Sequence, residues 1–321
     1  MKDLISLHDL TSEEVKGLLE LGLKLKKEQK SGIEHHILKG KTLGMIFTKS
    51  STRTRVSFEV GMTQLGGYPL FLSSNDIQLG RGESIYDTAK VLERMLDGIM
   101  IRTYAHQDVL DLAEYANIPV INALTDLLHP CQVLADLMTT YEHKGKLEGL
   151  KLAYIGDGNN MAHSLMYGCA KAGMDCAIAT PENYQCDAEV VANAKDDFKK
   201  SGKELIFLSS NGCRSTLGKE LILTTDPVEA IKNADVVYTD TWVSMGQEAE
   251  KAERQKIFMP YQVNGELFKN AADDAVFMHC LPAYRGFEVT EEVIDGPQSV
   301  IFDEAENRLH AQKAVMATLM G

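Results

Sequence analysis

No stretch of this 321-residue sequence is apolar over the roughly 20 residues that a membrane-crossing helix needs. Positive charge is also in short supply. Against 46 Asp and Glu stand 33 Lys and Arg, a formal net charge of −13. That balance excludes a surface built around the phosphates of a nucleic acid or the headgroups of an anionic membrane. Any site for a small anion must therefore concentrate its basic residues locally. No CxxC pair occurs among the six cysteines, Cys131, Cys169, Cys176, Cys186, Cys213 and Cys280, and the pattern predicts a reduced, cytoplasmic chain. The start, Met1 to Thr11, lacks the basic residues and apolar run of a signal peptide. Internal repeats and low-complexity tracts are missing as well. What remains is ordinary globular material, 44% hydrophobic and 25% charged. The length exceeds what one hydrophobic core usually serves, so two domains of about 150 residues are expected, with a cleft between them.

From Leu43 onward, apolar runs of four to six residues alternate with helical patterns, the signature of βα units and parallel sheets. The fold class expected is α/β: two domains, each a parallel sheet flanked by helices, joined by interdomain helices. Candidate strands in the first series are Leu43 to Phe47, Leu70 to Leu72, Gly98 to Ile101 and Val120 to Asn122. Helical patterns lie at Arg53 to Leu65, Ser84 to Leu96 and Val109 to Ala116. A second series of strands comprises Lys151 to Ile155, Cys176 to Ala179, Val236 to Thr239 and Val276 to His279. The helix Cys131 to Tyr141 bridges the two series, and His143 to Gly149 reads as the joint. The domains expected are 1–142 plus 304–321, and 143–303.

Ser50-Ser51-Thr52-Arg53-Thr54-Arg55 follows a strand and opens a helix. Hydroxyls, backbone N–H groups and guanidiniums thus converge where a helix N-terminus already favours negative charge. Taken alone, the motif reads equally well as an N-cap beside solvated arginines. Two further signals weigh toward an anion site. Arg102 ends the strand Ile99 to Ile101 at the carboxyl edge, where open α/β sheets bind ligands. In His129-Pro130-Cys131-Gln132, Pro130 suits the first position of a helix and brings His129 and Gln132 to the same edge. Such a pair offers a donor to a carbonyl oxygen and an acceptor to an amide NH2. Isolated, His129 would be read as a capping residue, and Cys131 as packing.

In the second series Asp240-Thr241-Trp242-Val243-Ser244-Met245-Gly246 follows a strand, placing a carboxylate where it could hold an ammonium group. His279-Cys280-Leu281-Pro282 closes another strand, and Asn159-Asn160 follows Gly156-Asp157-Gly158. The residues alone point to an anion bound by the first domain and a polar, amine-bearing partner bound by the second. A nucleotide-binding dehydrogenase is the rival suggested by Gly156-Asp157-Gly158, but Met161 stands where the fingerprint's third glycine belongs. A metal or nucleophile pair at His279-Cys280 is disfavoured because adjacent residues of a strand face opposite ways.

The motifs at 51–55, 129–132, 240–246 and 279–282, in this order over nearly the whole chain, resemble the ornithine carbamoyltransferases of the aspartate/ornithine carbamoyltransferase family. The first two are general to carbamoyltransferases, and the last two point to ornithine. The resemblance implies carbamoyl transfer from carbamoyl phosphate to the δ-amine of L-ornithine, giving L-citrulline and phosphate in arginine metabolism. It further implies a homotrimer or an assembly of trimers, and no metal or organic cofactor. Carbamoyl phosphate would be held by Ser51, Thr52, Arg53, Thr54, Arg102, His129, Gln132 and Arg308, with Cys280 and Leu281 near the reacting atoms and Gln78 lent by a neighbouring subunit. Ornithine would be held by Asn160, Asp240, Ser244 and Met245. Arg102, His129, Asp240 and Cys280 are the catalytic candidates that it implies. The match of Arg308 returns the last helix, Glu304 to Met320, to the first domain.

Overall fold

The computed structural model describes residues 1–201, 220–243 and 248–321. The chain divides into two compact units, Met1–Met138 with Glu306–Gly321, and Thr139–Ala305.

The first unit begins with helix α1 (Ser12–Lys30), started by a capping box in which Thr11 and Glu14 each accept from the other's backbone N–H. Its sheet contains β1 (Thr42–Phe47), β2 (Tyr68–Ser73), β3 (Gly98–Arg102) and β4 (Val120–Leu124), all parallel in the order β2-β1-β3-β4. Helices α2 (Thr52–Gln64), α3 (Ile85–Leu92) and α4 (His106–Tyr115) form the crossovers. Every residue of β3 and β4 is buried, which is why both are apolar apart from Arg102 and Asn122. The edge strand β2 is half-buried to exposed throughout. Ile46, Ile99, Ile101, Val109, Leu112 and Val120 form a core between sheet and helices.

Helix α5 (Pro130–Lys144) runs from the first unit into the second, and covers the start of the segment expected to be a joint. The second sheet consists of β5 (Lys151–Ile155), β6 (Asp175–Ala179), β7 (Leu221–Thr224), β8 (Val236–Tyr238) and β9 (Val276–Met278), parallel in the order β7-β6-β5-β8-β9. Around it lie α6 (Asn160–Ala172), α7 (Ala188–Lys200), α8 (Pro227–Ile231), α9 (Lys251–Phe258), α10 (Gly265–Phe268) and α11 (Glu291–Ile294). Ala153, Ile155, Ala177, Val237, Val263 and Phe277 anchor its core. Helix α12 (Ile301–Met320) then passes back into the first unit. Among the described residues, no helix is long and apolar enough to cross a membrane.

Both sheets are the two-way-wound kind that the alternating pattern predicts. In the first, β1 has β2 on one side and β3 on the other; in the second, β5 has β6 on one side and β8 on the other. The carboxyl ends of β1 and β3, and of β5 and β8, are therefore the switch points where adjoining loops diverge and leave room for a ligand.

Candidate active site

At the first switch point, β1 gives way to the turn into α2. The Thr48 and Lys49 amides both donate to the Arg102 carbonyl, at 3.0 and 3.4 Å, which fastens the turn to the end of β3. Ser51 is the N-cap, with extended backbone and an Oγ that accepts from the Thr54 amide at 3.2 Å. The capping and anion-binding readings are therefore compatible: the cap holds the turn in which the first amides of α2 cluster. Thr54 is fully buried, and its Oγ1 accepts from Arg308 Nη2 at 2.7 Å. This contact brings the arginine of α12 to the motif 254 residues earlier.

Arg102, at the end of β3, is 8% exposed, and the strand register shifts at Ile101/Arg102. His129 is buried just before α5, where its carbonyl accepts from the Gln132 amide at 3.2 Å. Burial holds its imidazole well below the ordinary histidine range, and Arg308, Arg102 and Lys49 push the same way. A neutral ring results, able to donate from one nitrogen without adding another cation. Gln132 Nε2 donates to buried Asp136 Oδ1 at 2.8 Å, so the amide's oxygen is the end turned away from Asp136. Cys131 donates to the Asn122 carbonyl at 3.4 Å, and burial pushes its thiol up to about 12, as suits a packing residue. Lys49 escaped the sequence reading. Its side chain is only 6% exposed, and its ammonium meets Asp126 at 2.9 Å and faces the Tyr104 ring. Gln78 is exposed, in a short turn ending at Arg81.

At the second switch point, Asn159 caps α6. Its Oδ1 accepts from the amides of Met161 and Ala162 and from the Tyr154 hydroxyl, while its Nδ2 donates to Asp240 Oδ2 at 2.9 Å. Asp240, 7% exposed at the end of β8, accepts on Oδ1 from the Thr241 amide at 2.8 Å and from the Cys280 thiol at 3.2 Å. Asn159, Asp240 and Cys280 are thereby joined in one hydrogen-bonded chain. Asn160, expected at the ornithine end of the site, is the first residue of α6, and its carbonyl accepts from the Ser164 hydroxyl at 2.8 Å. Buried Tyr154 is raised well above the ordinary phenol range by burial and by the nearby Asp240 and Asp157 carboxylates. Ser244 and Met245 lie outside the described residues.

Two local expectations need adjustment. Strand alternation was to separate His279 from Cys280, yet ligand atoms of Asp240, His279 and Cys280 lie within 4.8 Å of one another. The reason is that β9 ends at Met278 and Leu281 turns into the left-handed region at φ 57°, so strand geometry no longer applies. His279 Nδ1 already accepts from the Leu281 amide at 2.9 Å, so the group reads as an internally bonded turn. The dinucleotide reading loses its space altogether. A Cβ at Gly158 would lie 2.4 Å from Cys186 N and from Gln185 C, so this glycine admits the protein's own chain where the fingerprint would admit a pyrophosphate. Asp157 is instead committed to buried Arg254 in an ion pair, and Arg254 also donates to the Trp242 carbonyl.

Residues 2–142 match the family described as aspartate/ornithine carbamoyltransferase, carbamoyl-P binding domain. Residues 148–214 and 210–319 match aspartate/ornithine carbamoyltransferase, Asp/Orn binding domain. The ornithine carbamoyltransferase of Carboxydothermus hydrogenoformans is 60% identical over 320 residues, spanning 100% of this chain and 98% of that one. That of Caldicellulosiruptor saccharolyticus is 59% identical over 316 residues, spanning 98% and 97%. Among solved structures, the ornithine carbamoyltransferase from Pyrococcus furiosus has a TM-score of 0.92 at 55% identity, covering 100% of this chain and 97% of its own.

Proposed function

Because this chain belongs to the aspartate/ornithine carbamoyltransferase family, we propose that it transfers the carbamoyl group of carbamoyl phosphate to the δ-amine of L-ornithine, yielding L-citrulline and phosphate. The first unit holds the donor. Ser51, Thr52, Arg53 and Thr54 take the phosphate at the α2 N-terminus, with Arg308 behind Thr54. Arg102 and neutral His129 donate to the carbamoyl oxygen, and Gln132 accepts from the carbamoyl NH2. Lys49 joins this set as a further buried cation. The second unit holds the amine, with Asp240 and Asn160 at the amino-acid end of ornithine, Ser244 and Met245 in the following loop, and Cys280 and the Leu281 carbonyl near the reacting nitrogen.

A side-chain amine of this kind has a free pKa of about 10.4, so its neutral, nucleophilic form must be favoured by removing water and by nearby cations. The nitrogen lone pair attacks the carbamoyl carbon. Donors from Thr54, Arg102 and His129 stabilise the oxyanion, the bond from carbon to phosphate oxygen breaks, and the electron pair leaves with phosphate toward Arg53 and the α2 amides. The nitrogen's surplus proton passes to the Asp240–Cys280 pair. The observation that carries the amine assignment is that pair: a buried carboxylate accepting from a thiol at 3.2 Å, at the carboxyl edge of its sheet.

Gln78 completes the phosphate site of a neighbouring copy in a homotrimer. Support comes from its exposure in a turn beside the half-buried edge strand β2. The five described cysteines are free thiols, which suits a reducing cytoplasm. The test is citrulline formation from carbamoyl phosphate with ornithine, beside putrescine and aspartate, in wild type, Cys280→Ala and Ser244→Ala. Ornithine-selective turnover that weakens in both variants is expected. Turnover with another amine would reject the substrate, and none with any amine would reject the reaction. Mixed trimers of Gln78→Ala and Cys280→Ala subunits should regain activity if Gln78 crosses the subunit border.

A further inference from the structure

The turn that brings Cys280 to Asp240 is held from behind by two buried carboxylates that the reaction does not use. Glu304, fully buried, accepts from the His279 amide at 2.9 Å and from the Tyr238 hydroxyl at 3.0 Å. Glu288, 1% exposed, lies on the other side. Its Oε1 accepts from the Tyr284 amide at 2.5 Å and stands 3.3 Å from His279 Nε2. That approach does not amount to a hydrogen bond, and Nε2 has no hydrogen-bond partner among the described residues. On the ring's other nitrogen, Nδ1 accepts from the Leu281 amide at 2.9 Å. A nitrogen that accepts carries no proton, so the ring's proton sits on Nε2, facing Glu288.

Leu281 needs this support. Its φ of 57° is a left-handed conformation in which a non-glycine residue brings Cβ too close to the backbone. Had His279 carried its proton on Nδ1, two N–H groups would oppose each other at this residue and the turn would lose the acceptor that holds it.

We propose that Glu288 is a positioning residue for carbamoyl transfer: it fixes the proton of His279 on Nε2, and the ring then holds the Cys280-Leu281 turn against Asp240. The proposal rests on the reading given under Proposed function. Glu288 reaches the chemistry only through His279.

Glu288→Met removes the acceptor at nearly constant length, whereas Glu288→Gln keeps an oxygen for the Tyr284 amide and the Nε2 proton. Two readouts are made on the full-length protein: ¹⁵N spectra of the His279 ring, and steady-state kinetics with carbamoyl phosphate and ornithine. Wild type and Glu288→Gln should show the Nε2–H ring. Glu288→Met should show the Nδ1–H form or a mixture, and its kcat should fall about ten- to hundredfold, the range seen when metal-bound histidines lose their orienting partner. Its KM for carbamoyl phosphate should change less than about twofold, because the first unit is untouched. His279→Ala alone and combined with Glu288→Met should have equal kcat. An Nδ1–H ring in wild type overturns the proposal, as do an unshifted ring in Glu288→Met or effects of the two substitutions that add. If wild type forms no citrulline, the assigned reaction fails, while the ring spectra still decide the role of Glu288. Should Glu288→Met not fold, the wild-type spectrum and the Glu288→Gln kinetics decide it.

Discussion

Lowering the pH from 7 to 5 should loosen α12 in the first unit, and His310 should account for the loss. His310 is fully buried two residues after Arg308; its Nε2 lies 3.3 Å from Glu306 Oε1, and Nδ1 has no hydrogen-bond partner among the described residues. Burial drives its pKa down to about 4; Glu306 opposes that shift, and Lys26 and Lys313 reinforce it. The unfolded chain binds a proton at this site below about 6.5, whereas the folded chain does so only near 4. Between these values the unfolded state holds more protons, so stability present above pH 6.5 is lost as pH falls toward 4. The full difference corresponds to about 3 kcal/mol, of which about 2 kcal/mol falls between pH 7 and 5. Because Lys26, which reinforces the shift, is only half-buried and partly screened by water, about 1–2 kcal/mol is the expected loss. Hydrogen exchange of the Leu309, Ala311 and Ala314 amides reads it without assuming that both units unfold together. After correction for intrinsic exchange, protection in wild type should fall about 5- to 30-fold more than in His310→Gln, which cannot titrate. Equal losses in the two proteins would refute the reasoning, since other acid-sensitive groups would then be responsible.

Thr54→Val removes the acceptor of a buried guanidinium, a contact worth about 1.5–3 kcal/mol, so the dissociation constant for carbamoyl phosphate should rise at least about tenfold. Direct titration checks this, and unchanged affinity would detach Arg308 from the phosphate site. Asp240→Asn should lower kcat about a hundredfold, with carbamoyl phosphate binding kept. Loss of donor binding in the same variant would show that Asp240 acts on the whole fold. Gly158→Ala should destabilise the second unit by about 1–3 kcal/mol, because the new methyl meets backbone atoms at 2.4 Å that cannot swing aside. An unmoved urea midpoint would mean that the 184–186 segment yields.

What was readable in the sequence follows from how completely each segment is buried. Strands β1, β3, β5, β6 and β8 appear as apolar runs because central parallel strands are covered on both faces, and β4 and β9, though last in their sheets, are buried along their whole length. Strand β7 was missed. It is a four-residue edge strand with only Leu221 fully buried, so its Leu-Ile-Leu-Thr lacks the signature of a covered strand. The phosphate motif was legible for a different reason: strand, turn, hydroxyls and guanidiniums are contiguous, and a helix N-terminus needs only local sequence to form. Partners supplied from far along the chain were less accessible. Lys49 stands two residues before Ser51, but nothing local reveals that Asp126, 77 positions on, would hold it as a buried cation. Nor does local sequence reveal that Asn159, as it caps α6, reaches Asp240, 81 residues away.

The same distinction explains where local rules failed at the His279-Cys280 turn. Alternation is a property of extended backbone, and it stops applying when Leu281 takes a left-handed conformation. No residue within the turn favours that conformation by its own preference, since leucine pays a steric cost there that glycine does not. The conformation is retained because His279 accepts from the Leu281 amide while Glu304 and Glu288 hold His279 from two other elements. Neither glutamate belongs to the motif that drew attention to the turn. A site residue can therefore be recognised from its own neighbours in sequence, whereas the groups that make it effective are found only when the fold returns them to it.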